Sequence, residues 1–296
     1  AAMILLAALV VTWLAYAPGL GGSTHFDDEP NLGGLANVHD AESALRFVVS
    51  GVAGPTGRPV ALASFVPQAY AWGAAADVFL WTNILIHLLN GVLVVWFLYL
   101  LGKTRQQSEH QSALVAVGAG AIWMLLPLLA SSSLLIVQRM TTLSATFVLL
   151  GGIAYFYARL GTDRRPLVAL CGMTLAIGIG TVLAVLSKEN GVLLPLFILA
   201  IEMTLLYRPS NVPRLLWRSW FSIVLVAPLL VLLLYLASLL PYSDGIVARR
   251  GFDGFERLIT QAEILWRYIY LAFVPSVASL GPFQDDYPIQ HSLMTP

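Results

Sequence analysis

The stretch HFDDEPNLGG at 25–34 sets Asp27, Asp28 and Glu29 side by side, just past an apolar run. Adjacent carboxylates support three roles. They can sit solvated in a loop and cap a helix. They can hold Mg²⁺ or Mn²⁺ through oxygen, usually with help from a substrate phosphate. They can also act as a general base, because partial desolvation and a neighbouring like charge raise a carboxylate toward a working pKa. The doublet alone does not choose among them. Three further stretches carry chemistry: Arg58 in GPTGRPVALASF, Gln138 and Arg139 in IVQRMTTLSATF, and Lys188 and Glu189 in LSKENGVLLP. A guanidinium fork suits phosphate, although Arg139 also reads as an arginine snorkelling from a helix end. Lys188 and Glu189 read as a self-neutralising pair or as charges delivered to a site. In TNILIHLLNG, Asn83, His87 and Asn90 fall at i, i+4 and i+7, on one helical face turned into a bundle. They are either interhelical hydrogen bonders or functional groups. One His with two Asn makes a poor metal set, so no transition metal is expected.

These residues need apolar elements to position them. The 296 residues are 58% hydrophobic and 11% charged, and the mean hydropathy is +0.79. Soluble domains carry roughly 25% charged residues. The reading is an all-α polytopic membrane protein with about eight apolar segments near 3–17, 78–101, 112–130, 142–159, 167–186, 191–207, 219–240 and 260–275. The ~10-residue alternation of a barrel is absent. The formal net charge is zero, which leaves no case for nucleic acid. The single cysteine, Cys171, excludes an intramolecular disulfide within the chain.

Basic residues gather after the second, fourth and sixth segments: Lys103 and Arg105; Arg159, Arg164 and Arg165; Arg208, Arg214 and Arg218. The positive-inside rule makes those connections cytoplasmic. Residues 18–77, 131–141, 187–190 and 241–259 then face outward, and with them Asp27, Arg58, Arg139, Lys188 and the charges of ARRGFDGFER. Ala15-Tyr16-Ala17 resembles a signal-peptidase site, but no charged n-region precedes it, and both readings place residue 18 onward outside. Within 18–77, Asp40 is a good N-cap for a helix with Ala41, Leu45, Val48 and Val49 on one face and Gly51 as a stop. That helix is expected to lie in the membrane interface.

Taken in order, FDDxxNL, GRPV…SF, N…H..N, QRMTTL…F, SKENG…P and GPFQDDY resemble the polytopic GT-C glycosyltransferases. The likeness is to transmembrane O-mannosyltransferase-like proteins that often carry C-terminal tetratricopeptide repeats, bacterial relatives included. It implies one transmembrane domain over 1–296, with a long first outer loop carrying the catalytic acid, Asp27 or Asp28. The implied donor is a polyprenyl-phosphate sugar, and the acceptor a protein hydroxyl or glycan at the outer, periplasmic face of an inner membrane. Arg58, Arg139, Lys188 and Glu189 would serve the donor phosphate, Asn83, His87, Asn90 and Gln138 would be polar groups of the bundle interior, and no cofactor is required. A His-Pro pair common near the end of helix three is missing from LLPLLASSS, and no repeats follow, so the chain reads as a fragment. The competing classes are a lipid or sugar transporter, which should show inverted repeats and midplane polar groups, and a non-catalytic membrane scaffold.

Overall fold

The computed structural model describes residues 1–25, 27–239, 251–276, 279–281 and 287–292, and every regular element among them is helical. The arginine pair Arg249–Arg250 and most of GPFQDDY lie outside the described residues. The first apolar run forms α1 (Ala2–Tyr16). Three short helices follow: α2 (Asp28–Leu32), α3 (Ala41–Val49) and α4 (Pro59–Phe65). The long apolar runs become α5 (Ala76–Thr104), α6 (Glu109–Met124), α8 (Arg139–Leu160) and α9 (Pro166–Val185), with the short α7 (Ala130–Leu134) ahead of α8. The rest is α10 (Leu194–Thr204), α11 (Arg214–Phe221), α12 (Ala227–Leu239) and α13 (Gly254–Phe273). A π-helical turn over Ser222–Val226 joins α11 to α12.

Among the described residues, five spans are long and apolar enough to cross a membrane: Ala2–Gly21, α5, α8, α9 and Arg214–Ser238. A sixth arises if α6 and Pro127–Leu134 count as one span bent by 56°. The bend has a local cause. Pro127 supplies no N–H to continue the helix and disfavours helical geometry at Leu126, which adopts an extended ψ of 116°. The expected segments at 191–207 and 260–275 do not meet the same test. The first becomes a 3-10 turn over Glu189–Leu193 followed by the 11-residue α10. The second is α13, which carries Glu256, Arg257, Glu263 and Arg267.

The bundle is built on α8, which packs against α5 and α9. Gly151 and Gly180 let α8 and α9 meet backbone to backbone: a Cβ on Gly180 would stand 2.9 Å from the Gly151 Cα. Small residues at such crossings are the usual way apolar helices approach closely. One apolar core runs through the middle of the bundle around Tyr155, Phe156, Met173 and Ile198. A second joins residues 32–79 to the beginnings of α5 and α8, through Leu32, Leu62, Phe65, Phe79 and Met140.

The α3 helix forms as its sequence indicates. Asp40 accepts from Ser43 N, and the Ser43 hydroxyl accepts from Asp40 N, closing a capping box. It ends at Val49 rather than at Gly51. Its apolar residues divide between two faces: Phe47 is buried, whereas Leu45, Val49 and, just beyond the helix, Val52 are exposed.

Candidate functional site

The two ends of α8 carry the polar chemistry. At the Lys188 end, residues 51–60 fold over the last turn of α9. Val60 N donates to Leu186 O and the Thr56 hydroxyl reaches Val185 O, so this segment takes up carbonyls that α9 leaves open. Gly54, Gly57 and Arg58 all have positive φ there. Gly54 is required on two counts: its φ is +65°, and a Cβ would stand 1.8 Å from Glu189 Oε1. Arg58 adopts the left-handed region without being glycine, a strain of order 1–3 kcal/mol that the surroundings must hold. What holds it is Glu189. Arg58 Nε donates to both carboxylate oxygens, at 3.1 and 3.2 Å, and Nη2 donates at 2.8 Å. Burial by itself would raise the Glu189 pKa, but the Arg58 hydrogen bonds outweigh it, and the carboxyl titrates below its ordinary value.

Lys188, the next residue back, points at α8. Its Nζ donates to the Thr141 hydroxyl at 2.6 Å and to Gln138 Oε1 at 3.3 Å, while the Thr141 hydroxyl itself donates to Gln138. Burial lowers the Lys188 pKa, as does the nearby Arg58 charge; Glu189 and Asp27 pull it partly back. Asp27 is therefore within electrostatic reach of Lys188.

The carboxylate doublet divides between two jobs. Asp28 is 1% exposed. Its Oδ1 accepts from Val137 N and its Oδ2 from His25 N, both at 2.7 Å, so it locks the α2 region to the entry of α8. Asp27 is exposed, and among the described residues its carboxylate has no hydrogen bond or ion pair. The paired carboxylates do not fit a site holding one ion between them, because Asp28 is buried on backbone N–H groups. Of the two aspartates, Asp27 is the one that remains available to a cation.

Arg139 is likewise committed. It is 0% exposed. Nε donates to Asn83 Oδ1 at 2.8 Å, Nη1 to Ser64 O and Nη2 to Phe79 O, and its guanidinium lies 4.1 Å from the centre of the Phe65 ring. This overturns its expected placement as a surface group facing a phosphate: the fork is filled by α4 and α5. Asn83, His87 and Asn90 share one buried face, as their spacing predicts. All three are paired across helices, Asn83 to Leu135 O, His87 Nε2 to Met124 O, and Asn90 to Thr142 O and the Thr146 hydroxyl. The structure thus brings together Asp27, Arg58, Gln138, Lys188 and Glu189, and assigns Asp28, Arg139, Asn83, His87 and Asn90 to holding the helices that carry them.

A groove of about 520 Å³ opens beside this cluster, between α5, α8 and α10. Thr141, Ser144 and Asn190 line its polar end; Phe97, Val148 and Phe197 line the rest. From Thr141 to Leu149 it follows α8 for roughly 12 Å at 1.5 Å per residue. Thr141 also accepts from Lys188, so the ammonium and the groove share a wall.

The chain matches no protein-family model, no curated protein and no solved structure. The chemistry of the site rests on its own geometry.

The other end of α8 holds a group that sequence reasoning missed. Arg159 pairs with Glu202 at 2.9 Å, with side chains only 7% and 2% exposed. The Tyr155 hydroxyl also donates to Glu202, Arg159 Nη2 donates to Tyr207 O, and Arg159 lies over the Trp217 ring. The available signal was Glu202 itself, the lone acid in LLPLFILAIEMTLLY. A buried carboxylate requires a partner.

Proposed function

We propose that this chain is an integral-membrane glycosyltransferase of the GT-C type, moving a sugar from a polyprenyl-phosphate donor to an acceptor hydroxyl. The observation that carries the reading is the groove. Thr141, Ser144 and Asn190 stand at the polar end of an apolar cleft, and Lys188, bonded to Thr141, lies behind them near the uncommitted carboxylate of Asp27. That is the complement of a ligand with an anionic head, a polar group to be transferred and a long apolar tail. The polar face of α5, where a transporter would keep groups open to cargo, is instead paired across helices at Asn83, His87 and Asn90. A scaffold has no use for a free Asp27 held close to Lys188.

In this reading the acceptor hydroxyl attacks the anomeric carbon and Asp27 takes its proton. The bond from that carbon to the phosphate oxygen breaks, and the phosphate leaves with the electron pair, its added charge met by Lys188. A single displacement inverts the anomeric configuration. Arg58 and Glu189 are positioning residues: their pair fixes the backbone that presents Lys188. A second cavity, about 410 Å³ and lined in part by Ser131, Ser132, Gln138 and Tyr268, gives the acceptor room on the other side of Gln138.

The reading takes seven crossings rather than eight. Besides the five spans and the bent pair, the segment that follows Glu189 and ends at Thr204 runs the height of the bundle: Lys188, just outside it, meets Thr141 at one end of α8, and Glu202 meets Arg159 at the other. The α13 helix then lies along the outer surface. Two of its acids pair with the terminal segment, Glu263 accepting from the Tyr287 hydroxyl and Glu256 bonding His291 Nδ1, and Tyr268 lines the cavity beside Gln138. The Lys188 end faces the periplasm and the basic connections face the cytoplasm, with the chain in a bacterial inner membrane.

The test is transfer or hydrolysis of radiolabelled polyprenyl-phosphate sugars by purified protein, with Asp27→Asn and Asp28→Asn run separately. Asp27→Asn should keep the fold and lose turnover, whereas Asp28→Asn should lose thermal stability. Unchanged turnover in folded Asp27→Asn protein would sink the reading.

A further inference from the structure

The basic connections do more than mark an orientation. The turns after α5, α8 and α10 meet around a cavity of about 320 Å³ whose lining includes Lys103, Arg105, Arg159, Asp163 and Arg208. The bland explanation is that these cations serve the negative ends of three helices, where basic residues are favoured. The hydrogen bonds argue against it. At the end of α5, Leu101 O accepts from Arg105 N, Lys103 O from Gln106 N, Gly102 O from Gln107 N, and Leu100 O from the Thr104 hydroxyl. Gln106 makes this closure by adopting φ +60°, a left-handed C-terminal stop that ordinarily falls to glycine. At the end of α8, Ala158 O accepts from Gly161 N and Arg159 O from both the Thr162 N–H and its hydroxyl. The chain has thus capped these ends with its own backbone and hydroxyl groups.

The cations are left with different fates. Lys103 pairs with Glu109 and Arg159 with Glu202. Arg208 donates from Nη1 to Val212 O. Arg105 is exposed, and among the described residues its side chain has no hydrogen bond or ion pair. Arg159 Nη1 likewise carries no hydrogen bond there, although Nε and Nη2 are filled. Three guanidinium groups therefore reach one cavity with donors to spare, and Asp163 is the one acid in its lining.

We propose that this cavity is a binding site for a phosphate-bearing anion, filled from the membrane surface at the Arg159 end by the headgroup of an anionic phospholipid. Arg105 and Arg208 grip the phosphate oxygens from the rim, and the free Nη1 edge of Arg159 forms the floor. Basic pockets between helices on a cytoplasmic face are suited to such headgroups, and guanidinium groups give a phosphate more than one hydrogen bond each. The site stands at the opposite end of α8 from Lys188, so it holds whether or not the Lys188 end transfers a sugar.

The experiment is native mass spectrometry of the full chain in detergent, titrated with phosphatidylglycerol or phosphatidylcholine. A thermal-shift titration with inorganic phosphate runs beside it. The variants are Arg105→Gln/Arg208→Gln, both exposed positions where folding is not at risk, and Arg46→Gln, a distant exposed arginine on α3. Phosphatidylglycerol should be retained over phosphatidylcholine, and its affinity should fall roughly 30-fold in the double variant while Arg46→Gln changes nothing. A phosphate-dependent rise in melting temperature, lost in the double variant and without lipid preference, would keep the phosphate site and make its natural ligand soluble. Equal retention of both lipids with no phosphate effect, or full retention by the double variant, would overturn the proposal.

Discussion

An arginine–glutamate pair stands near each end of α8, and the two behave differently. Arg159 and Glu202 are nearly closed off, 7% and 2% exposed, with Tyr155, Tyr207 and Trp217 around them and only the Nη1 edge of Arg159 left over toward the cavity at that end. Arg58 and Glu189 are 19% and 31% exposed and sit beside a lysine, a free carboxylate and a groove. In the closed pair the Glu202 carboxylate takes hydrogen bonds from both Arg159 and Tyr155, and the product is a fastened helix. In the open pair the arginine is held in a strained backbone conformation, and what it fastens is the short turn that presents Lys188. The chemistry of a charged pair is set less by its residue types than by which neighbouring groups remain uncommitted.

That contrast can be broken or sharpened by measurement. The largest effect falls on the open end: Asp27→Asn should lower sugar transfer by about 10²- to 10⁴-fold, the usual worth of a general base, with an unchanged melting temperature. At the closed end the effect should be reversed in kind. Glu202→Ala leaves Arg159 charged and buried without its partner, a loss of about 3–5 kcal/mol in stability, read by thermal unfolding, with donor binding per folded molecule retained. If Glu202→Ala were as stable as the parent, the closed pair would not be the fastener described here.

Smaller effects follow from titration at the open end. Burial and Arg58 lower the Lys188 pKa from its ordinary 10.5. The ammonium is therefore lost at a lower pH than in a free lysine, and binding of an anionic donor should weaken as pH rises through that lowered value. Lys188→Arg should remove this alkaline limb. For stability the sign is opposite: below the lowered pKa the folded state carries the cost of a part-buried charge, and that cost fades as pH rises. Glu189 gives the smallest effect. Its pKa is lowered from 4.5, so its pairing stabilises the fold above 4.5 and is lost as pH falls through the lowered value. Glu189→Gln should flatten the acid limb of a melting-temperature profile while leaving the neutral region little changed.

Much of this arrangement is legible in the residues. The i, i+4, i+7 spacing of Asn83, His87 and Asn90 fixed their common face, and burial in an apolar bundle required them to pair. Asp40 foretold the start of α3. Other features were not legible. Spacing named the face of α5 but not its partners, the carbonyls of Met124, Leu135 and Thr142, which come from other parts of the chain. Arg139 looked like a group for a ligand because a sequence shows a charge without showing the carbonyls of Ser64 and Phe79 that surround it. The segment at 191–207 looked like one continuous helix by composition, whereas its first residues wind as a 3-10 turn and only 11 form the helix.

The division of labour between Asp27 and Asp28 marks the boundary most sharply. The sequence by itself determined that several helices are apolar enough to cross a membrane, that acid and base alternate with them in a fixed order, and that the polar face of α5 turns inward. Apolar periodicity and charge decide those properties locally. Only the tertiary structure decided which charges are committed. Asp27 and Asp28 are chemically identical and adjacent, but successive residues at the start of a helix point about 100° apart. One therefore meets the backbone N–H of Val137, 109 residues away in the chain, and the other is left free beside Lys188.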